Sequence, residues 1–386
     1  MAITSTTRAA TCLLLLCSCA PPTTTSFLLT PPPFSTATSP LQLKPNIALS
    51  AGTDVSDLLY QEQENILVRR GKLEETFVTN VKPLEASKIK IRGAGKAGGF
   101  GKTSSSTNSS SKVEGKAYAK ILKKEGVLRL DNVLSASTAD TLRTYLYNLR
   151  AQSEQEVAAG TVQPIERYAN VLLRHNRCDL TIPLGTNEII TTALNEALRK
   201  SPVGGTLQSI FGEGAILHEF SCLMSDVGSQ RQVIHSDTPF VDGKGPVLYT
   251  CFIALQDVTM DMGPTTWFPR THTKEAHGAF KDTNEKDELI KSQPAVLGLL
   301  PKGSCGIFDS RLFHCGTANR SNEEKSRALF YFSFKNPEVG YTGNPASIRL
   351  ELGTENVALG ELVSDLELFE KGKGSPLIDE LGRKMR

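Results

Sequence analysis

A chain of 386 residues is long enough to bury a sizeable core, and 39% hydrophobic with 22% charged residues is the balance of globular protein. Its 43 basic against 41 acidic residues give a net charge of only +2, which argues against a nucleic-acid surface and leaves a small molecule as the expected partner. Eight cysteines include no C-x-x-C pair, and the five beyond the N-terminal region (Cys178, Cys222, Cys251, Cys305 and Cys315) fit free thiols in a reducing compartment.

Residues 1–53 contain no Asp or Glu, only Arg8 and Lys44 as bases, many Ser, Thr and Pro, and an apolar run from Cys12 to Cys17 too short to span a bilayer. This reads as an organelle-targeting leader. Phe27, after Thr-Thr-Thr-Ser, resembles the aromatic residue that follows the cleavage point in precursors bound for complex plastids. The expected address is a plastid stroma, with a mitochondrion second, and no membrane span is expected in the mature chain.

Residues 54–85 carry Val55, Leu58, Leu59, Ile66, Leu67, Leu73 and Phe77 at loosely helical spacing, a segment able to dock on the main domain or pair with another chain. Residues 86–112 are a Gly- and Ser-rich basic linker. Within it Gly93-Ala-Gly95-Lys-Ala-Gly98 imitates a dinucleotide motif, but no helix pattern follows to hold a phosphate.

From 113 to 336 the pattern is that of one domain. Lys116 to Lys124 and Ser135 to about Ala159 are helical, separated by the extended Gly126-Val-Leu-Arg-Leu130. Beyond Ile216 strands dominate: Val247 to Leu255, Gly306 to Phe313, and Arg327 to Phe334, all β-branched or aromatic runs between turn residues. Helices followed by many strands give an α+β class with a mainly β core, a jelly roll flanked by helices. Residues 337–386 form a C-terminal extension with a helix near Leu359 to Glu370.

His235-Ser236-Asp237 would place an imidazole and a carboxylate on the same side of an extended chain. His314 ends a second extended run, Ile307 to His314, and two imidazoles with one carboxylate are the facial triad of non-haem iron(II) oxygenases. The same three residue types also bind zinc or manganese in cupin-type enzymes. Arg327 opens an apolar strand after the turn signal Asn319-Arg-Ser-Asn322, so a hairpin would bring it beside His314. A guanidinium there is costly to bury unless it meets an anion such as a carboxylate. An exposed strand-end Arg327 paired with Glu323 or Glu324 is the other reading.

Together these segments resemble the phytanoyl-CoA dioxygenase-like group of iron(II)- and 2-oxoglutarate-dependent oxygenases. The likeness runs from Gly126-Val-Leu-Arg-Leu-Asp-Asn-Val-Leu-Ser135 through Val233-Ile-His235-Ser-Asp237, Gly263-Pro-Thr-Thr-Trp267-Phe-Pro-Arg-Thr-His272 and Lys302-Gly303 to His314 and Arg327. It implies a double-stranded β-helix. It further implies Fe(II) held by His235, Asp237 and His314, 2-oxoglutarate as co-substrate bound by Arg327, Thr317 and Phe252, ascorbate as reductant, and hydroxylation of a small organic substrate by O2 with release of succinate and CO2. Arg231, Trp267 and Arg270 are expected at the substrate pocket.

Three departures stand out. Gly316 replaces a residue that in some members offers the co-substrate a hydroxyl, leaving Thr317 to substitute; the 319–327 segment is about two residues long, so that Arg320 competes with Arg327 as anion partner; and Arg270-Thr271 replaces Gly-Ser in the usual P-G-S-H. His272 and His277 are expected to support loops, and His175 and His218 to be structural or substrate-facing. A catalytically silent relative that uses 54–85 as an interaction element is the remaining rival.

Overall fold

Strict alternation in the strand that opens at Arg327 organises the molecule, which is known here from a computed structural model describing residues 81–87, 107–169, 176–183, 187–322, 326–340 and 357–372. The leader, nearly all of the 54–85 segment, most of the linker, and His175 lie outside the described residues. The strands are β1 (Lys82–Pro83), β2 (Val127–Leu130), β3 (Arg177–Thr181), β4 (Ile216–Ser225), β5 (Leu248–Ala254), β6 (Thr265–Trp267), β7 (Val296–Leu297), β8 (Cys305–Asp309), β9 (His314–Gly316) and β10 (Arg327–Lys335). The helices are α1 (Thr107–Glu125), α2 (Ala136–Ala158), α3 (Pro164–Arg167), α4 (Glu188–Asn195), α5 (Pro202–Phe211), α6 (Lys274–Lys281), α7 (Thr283–Ser292) and α8 (Leu359–Glu370). None of the described helices is long and apolar enough to cross a membrane.

A six-stranded antiparallel sheet, ordered β2-β8-β5-β10-β4-β3, faces a four-stranded sheet, ordered β1-β7-β6-β9. This is the jelly roll expected from the sequence. Ala328, Phe330, Phe332 and Phe334 of β10 point outward with Phe220 and Cys222 of β4 and Cys251 and Ile253 of β5, into a core shared with α1, α2, α4, α5 and α8. Each buried Phe contributes about 1.5–3 kcal/mol, so this sheet–helix interface anchors the frame. The inward face of the same strands, with Leu329, Tyr331, Phe252 and Phe308, packs against Trp267 of the smaller sheet. Ser135 caps α2 by accepting from the Thr138 amide (3.2 Å), as its position before the helical pattern requires.

Three expectations change. The helical spacing read over 54–85 gives way at 81–87 to extended chain, with β1 parallel to β7 (Lys82↔Val296); Pro83 has no amide to sustain a helical bond there. The linker read to 112 has already become α1 at Thr107, because its Ser/Asn tail precedes a continuous helical run. The single strand expected from Ile307 to His314 breaks at Ser310: β8 lies in the larger sheet, whereas His314 begins β9 in the smaller one. Asp309 drives this break by accepting from the Arg311 amide (2.9 Å) while holding the Arg311 guanidinium (2.9 and 2.7 Å), a local turn that competes with the sheet ladder.

At Gly126, φ is +79°, and a Cβ would lie 2.5 Å from His272 Nδ1 and 2.6 Å from Leu312. Gly126→Ala is therefore expected to destabilise the fold by about 2 kcal/mol or more, read as a fall in the denaturant midpoint, from positive φ and overpacking together.

Candidate metal centre

Backbone pairing brings the two imidazoles together. The His235 amide donates to the His314 carbonyl (3.0 Å) and the His314 amide to that of His235 (2.8 Å), an isolated antiparallel bridge. Such reciprocal pairs set side chains abreast, and the ring centroids are 4.5 Å apart. The Asp237 and Thr238 amides both donate to the Ser310 carbonyl (2.8 and 3.0 Å), and the Thr238 and Ser310 hydroxyls bond at 2.6 Å. The rigid Asp309–Arg311 turn thus carries both ligand segments.

Each ring spends its Nδ1 proton on the carbonyl two residues earlier: His235 on Val233 (2.8 Å), His314 on Leu312 (3.0 Å). That leaves both Nε2 lone pairs free, and they sit 3.7 and 3.6 Å from one Asp237 oxygen. The three donor atoms lie within 4.8 Å of one another. Two neutral imidazoles, oriented by backbone acceptors, and one carboxylate suit a divalent first-row ion with open positions. Burial, reinforced by His235, pushes the His314 imidazole below its usual pKa, which keeps its Nε2 unprotonated; Asp237 acts in the opposite sense. His235 is one-third exposed while His314 is buried, so the centre opens to solvent on the His235 side.

His277, expected to support loops, does so. Its Nδ1 accepts from the Phe240 amide (3.3 Å), its Nε2–H donates to the Arg311 carbonyl (2.8 Å), and its ring stacks on Phe313 at 4.7 Å. It ties the segment after Asp237 to the turn before His314. Burial lowers its pKa, so the fold prefers the neutral ring: its contribution is whole above the ordinary imidazole value of about 6.5 and is lost as pH falls below it. His277→Ala should cost about 1–3 kcal/mol in denaturant titrations at pH 7.5. The difference from the native chain should shrink at pH 5.5, and metal affinity should drop about 10- to 100-fold. His272 donates from Nε2 to the Lys123 carbonyl (3.1 Å), pinning the end of α1. His218 is buried and held down to about 4 by desolvation, then by Lys335.

Arg327 is wholly buried on the inward face of β10, so the exposed reading does not hold. Its Nη1 donates to the Gly263 carbonyl and its Nη2 to Ser225 Oγ (3.1 Å); among the described residues its Nε has no partner. Burial, with Arg177 adding to it, depresses its pKa to about 9. Arg327 and His314 do not share a hairpin, because β9 and β10 belong to different sheets. A Cβ on Gly316 would lie 3.5 Å from Arg327 Nη2 and 2.6 Å from Gln232 Oε1, so a bare Cα here makes room for both. Arg320 is exposed.

The remaining expected site residues separate. Phe252 lies inside, ringed by Phe308 (5.1 Å) and Tyr331 (5.3 Å). Thr317 donates its hydroxyl proton to the Pro264 carbonyl (2.8 Å), so it positions the Gly263-Pro264 loop under Arg327 and has no proton left for a co-substrate. Trp267 is fully buried in a slot where Cβ atoms on Gly298 and Gly306 would come within 2.6 and 2.8 Å, a core position. Arg231 reaches Cys315 Sγ (3.6 Å) and so belongs to the opposite face of β9 from His314. Arg270 forms a two-pronged ion pair with Glu125 (2.7 and 2.8 Å) on the exterior. Its φ of +67° is the conformation for which glycine is suited, at the position where the family pattern carries glycine. Arg231 and Arg270 are therefore outside the pocket. Sequence reading missed Ser225, Gln232, Asp179 and Glu219, although alternation in Arg177-Cys-Asp179 and in Glu219-Phe-Ser-Cys-Leu-Met-Ser225 sets Asp179 on the Arg177 face of one strand and Glu219 with Ser225 on one face of the next; Tyr331 shares the Arg327 face by the same alternation but was given no role.

The chain matches the phytanoyl-CoA dioxygenase family (PhyH) over residues 122–328, more than half of its length. No curated protein matches. Among solved structures it is similar to the non-heme alpha-ketoglutarate-dependent epimerase SnoN from nogalamycin biosynthesis (17% identity, 61% of this chain and 91% of that one, TM-score 0.41). It is also similar to AviO1 from Streptomyces viridochromogenes Tue57 (12%, 60% and 96%, 0.40) and to HygX from Streptomyces hygroscopicus, solved with nickel, 2-oxoglutarate and hygromycin B (10%, 59% and 96%, 0.39). With the jelly roll and the family match in agreement, this chain belongs to the phytanoyl-CoA dioxygenase family of iron- and 2-oxoglutarate-dependent oxygenases.

Proposed function

We propose that this protein hydroxylates a small organic substrate with dioxygen, using iron(II) and 2-oxoglutarate and releasing succinate and carbon dioxide. The observation that carries this reading is the convergence of His235 Nε2, His314 Nε2 and one Asp237 oxygen, with both imidazole Nδ1 protons already committed to backbone carbonyls. These three residues would hold the iron and leave coordination positions open. When bound, iron(II) and 2-oxoglutarate supply an oxidant formed as the keto acid loses carbon dioxide, with one oxygen atom passing to succinate and the other to the substrate. The buried Arg327, its Nε without a partner, fits a carboxylate at the far end of the co-substrate. Gly316 and Gln232 shape the cleft beside it, Thr317 fixes the loop that accepts from it, and Phe252 with Phe308 excludes water from the centre.

Ascorbate fits as the reductant that keeps the iron ferrous, and the acid-free N-terminal region supports a plastid address ahead of a mitochondrial one. The decisive test is succinate formation by the purified protein with iron(II), 2-oxoglutarate, ascorbate and dioxygen across a panel of small metabolites. Iron-dependent succinate coupled to substrate loss is expected; turnover with zinc or manganese and none with iron would replace this reading by that of a cupin-type metalloenzyme.

A further inference from the structure

The inward face of the larger sheet has an apolar half and a polar half. Across β8, β5, β10 and β4, one row runs Phe308↔Thr250↔Ser333↔Glu219. The next runs Gly306↔Phe252↔Tyr331↔Ser221 and continues to Thr181 of β3, and a third runs Ala254↔Leu329↔Leu223↔Asp179. Paired residues share a face, so Asp179, Thr181, Glu219, Ser221, Tyr331 and Ser333 form a continuous polar wall. This wall adjoins the metal centre: the Phe308 ring, in the Glu219 row, lies 4.9 Å from that of His314, and the Asp237 carboxylate acts electrostatically on Glu219.

Two carboxyl groups inside this barrel are an expensive arrangement. Asp179 is 5% exposed and Glu219 7%, and among the described residues neither forms an ion pair with a lysine, arginine or histidine. The Tyr331 hydroxyl donates to Asp179 Oδ2 (2.7 Å), but among the described residues the buried Asp179 Oδ1 has no partner, and neither has Thr181 Oγ1. Desolvation raises the pKa of Asp179 to about 6 and that of Glu219 to about 8, the response of acids awaiting a compensating charge. Arg177 donates to Ser225 Oγ (3.1 Å), as Arg327 does.

Resting on the oxygenase reading above, we propose that Asp179 and Glu219 recognise a protonated amine on a hydroxyl-bearing substrate. The ammonium takes the open Asp179 Oδ1 and the Glu219 carboxyl, while Tyr331, Ser221, Ser333 and Thr181 meet neighbouring hydroxyls. The carbon chain packs on Phe252 and Phe308, beside the centre.

Saturation-transfer NMR on the full chain, loaded with zinc and 2-oxoglutarate to prevent turnover, tests this with matched probes. One set is glucosamine, N-acetylglucosamine and glucose; the other is cyclohexylamine, cyclohexanol and cyclohexanecarboxylate. The amine of each set is expected to bind at least about tenfold more tightly than its neutral and anionic counterparts, and to lose that advantage in Asp179→Asn and in Glu219→Gln. Equal binding within a set, no amine binding at millimolar concentration, or unchanged preference in both variants would overturn the proposal. 2-Oxoglutarate affinity measured in the same samples separates the two readings: if the keto acid binds and amines are not preferred, only the amine site fails, whereas a chain that binds no keto acid loses the oxygenase reading itself.

Discussion

Asp237→Asn is expected to abolish turnover, by roughly 10³-fold or more, and to weaken iron(II) binding at least about 100-fold while leaving the fold intact. The substitution is nearly isosteric and preserves the backbone anchor from residue 237 to the Ser310 carbonyl. What it removes is the only carboxylate within 4.8 Å of both imidazole Nε2 atoms among the described residues. A neutral amide cannot offset a dication's charge, and its nitrogen end would repel the ion. Anaerobic titration with iron(II) or cobalt(II), alongside succinate formation, reads both effects. A variant that keeps more than a tenth of native turnover would remove Asp237 from the ligand set.

Arg327→Met should separate binding from stability in opposite directions. Among the described residues no carboxylate pairs with this buried guanidinium, and each pKa unit of depression corresponds to about 1.4 kcal/mol. A folded value of about 9 against an ordinary 12.5 therefore implies a penalty on the order of several kcal/mol. Because the folded value is the lower one, the penalty is present in full below about pH 9 and declines only as pH rises past it. Met fills much of the same volume without charge. The ligand-free variant should thus melt at or above the native temperature, despite leaving the Gly263 carbonyl without its donor.

The native chain should gain stability from 2-oxoglutarate, by about 2.7 kcal/mol at a hundredfold excess over Kd, whereas the variant should gain almost nothing. Differential scanning fluorimetry with and without the keto acid measures this. A variant that still shifts would reassign the anion to another base, and a variant that melts well below native would mean that Arg327 serves the fold.

The jelly roll was legible because alternation in 327–334 and the apolar runs at 247–255 and 306–313 specify half-buried strands whatever their neighbours. The residue types of the triad were equally legible, since His235 and Asp237 two apart on an extended run, with His314 ending another, are the donor set of a divalent-metal site. Sequence could also place Arg327 on the face opposite Phe330, Phe332 and Phe334, because the period of a strand is fixed by its pleat.

How these residues meet was decided by pairing between distant segments. His235 and His314 come abreast through a two-bond bridge between a loop and a strand start, an arrangement with no local signal. The Asp309–Arg311 turn moves the chain from one sheet to the other just before His314, so the expected hairpin between His314 and Arg327 never forms. Arg231 and Arg270 looked available because a charge near a motif has no direction in one dimension. Folding turned the first toward Cys315 and bound the second to Glu125. The polar wall of Asp179, Glu219 and Tyr331 exists only because strands far apart in the chain lie in register, and register is set by the long-range packing of a whole sheet.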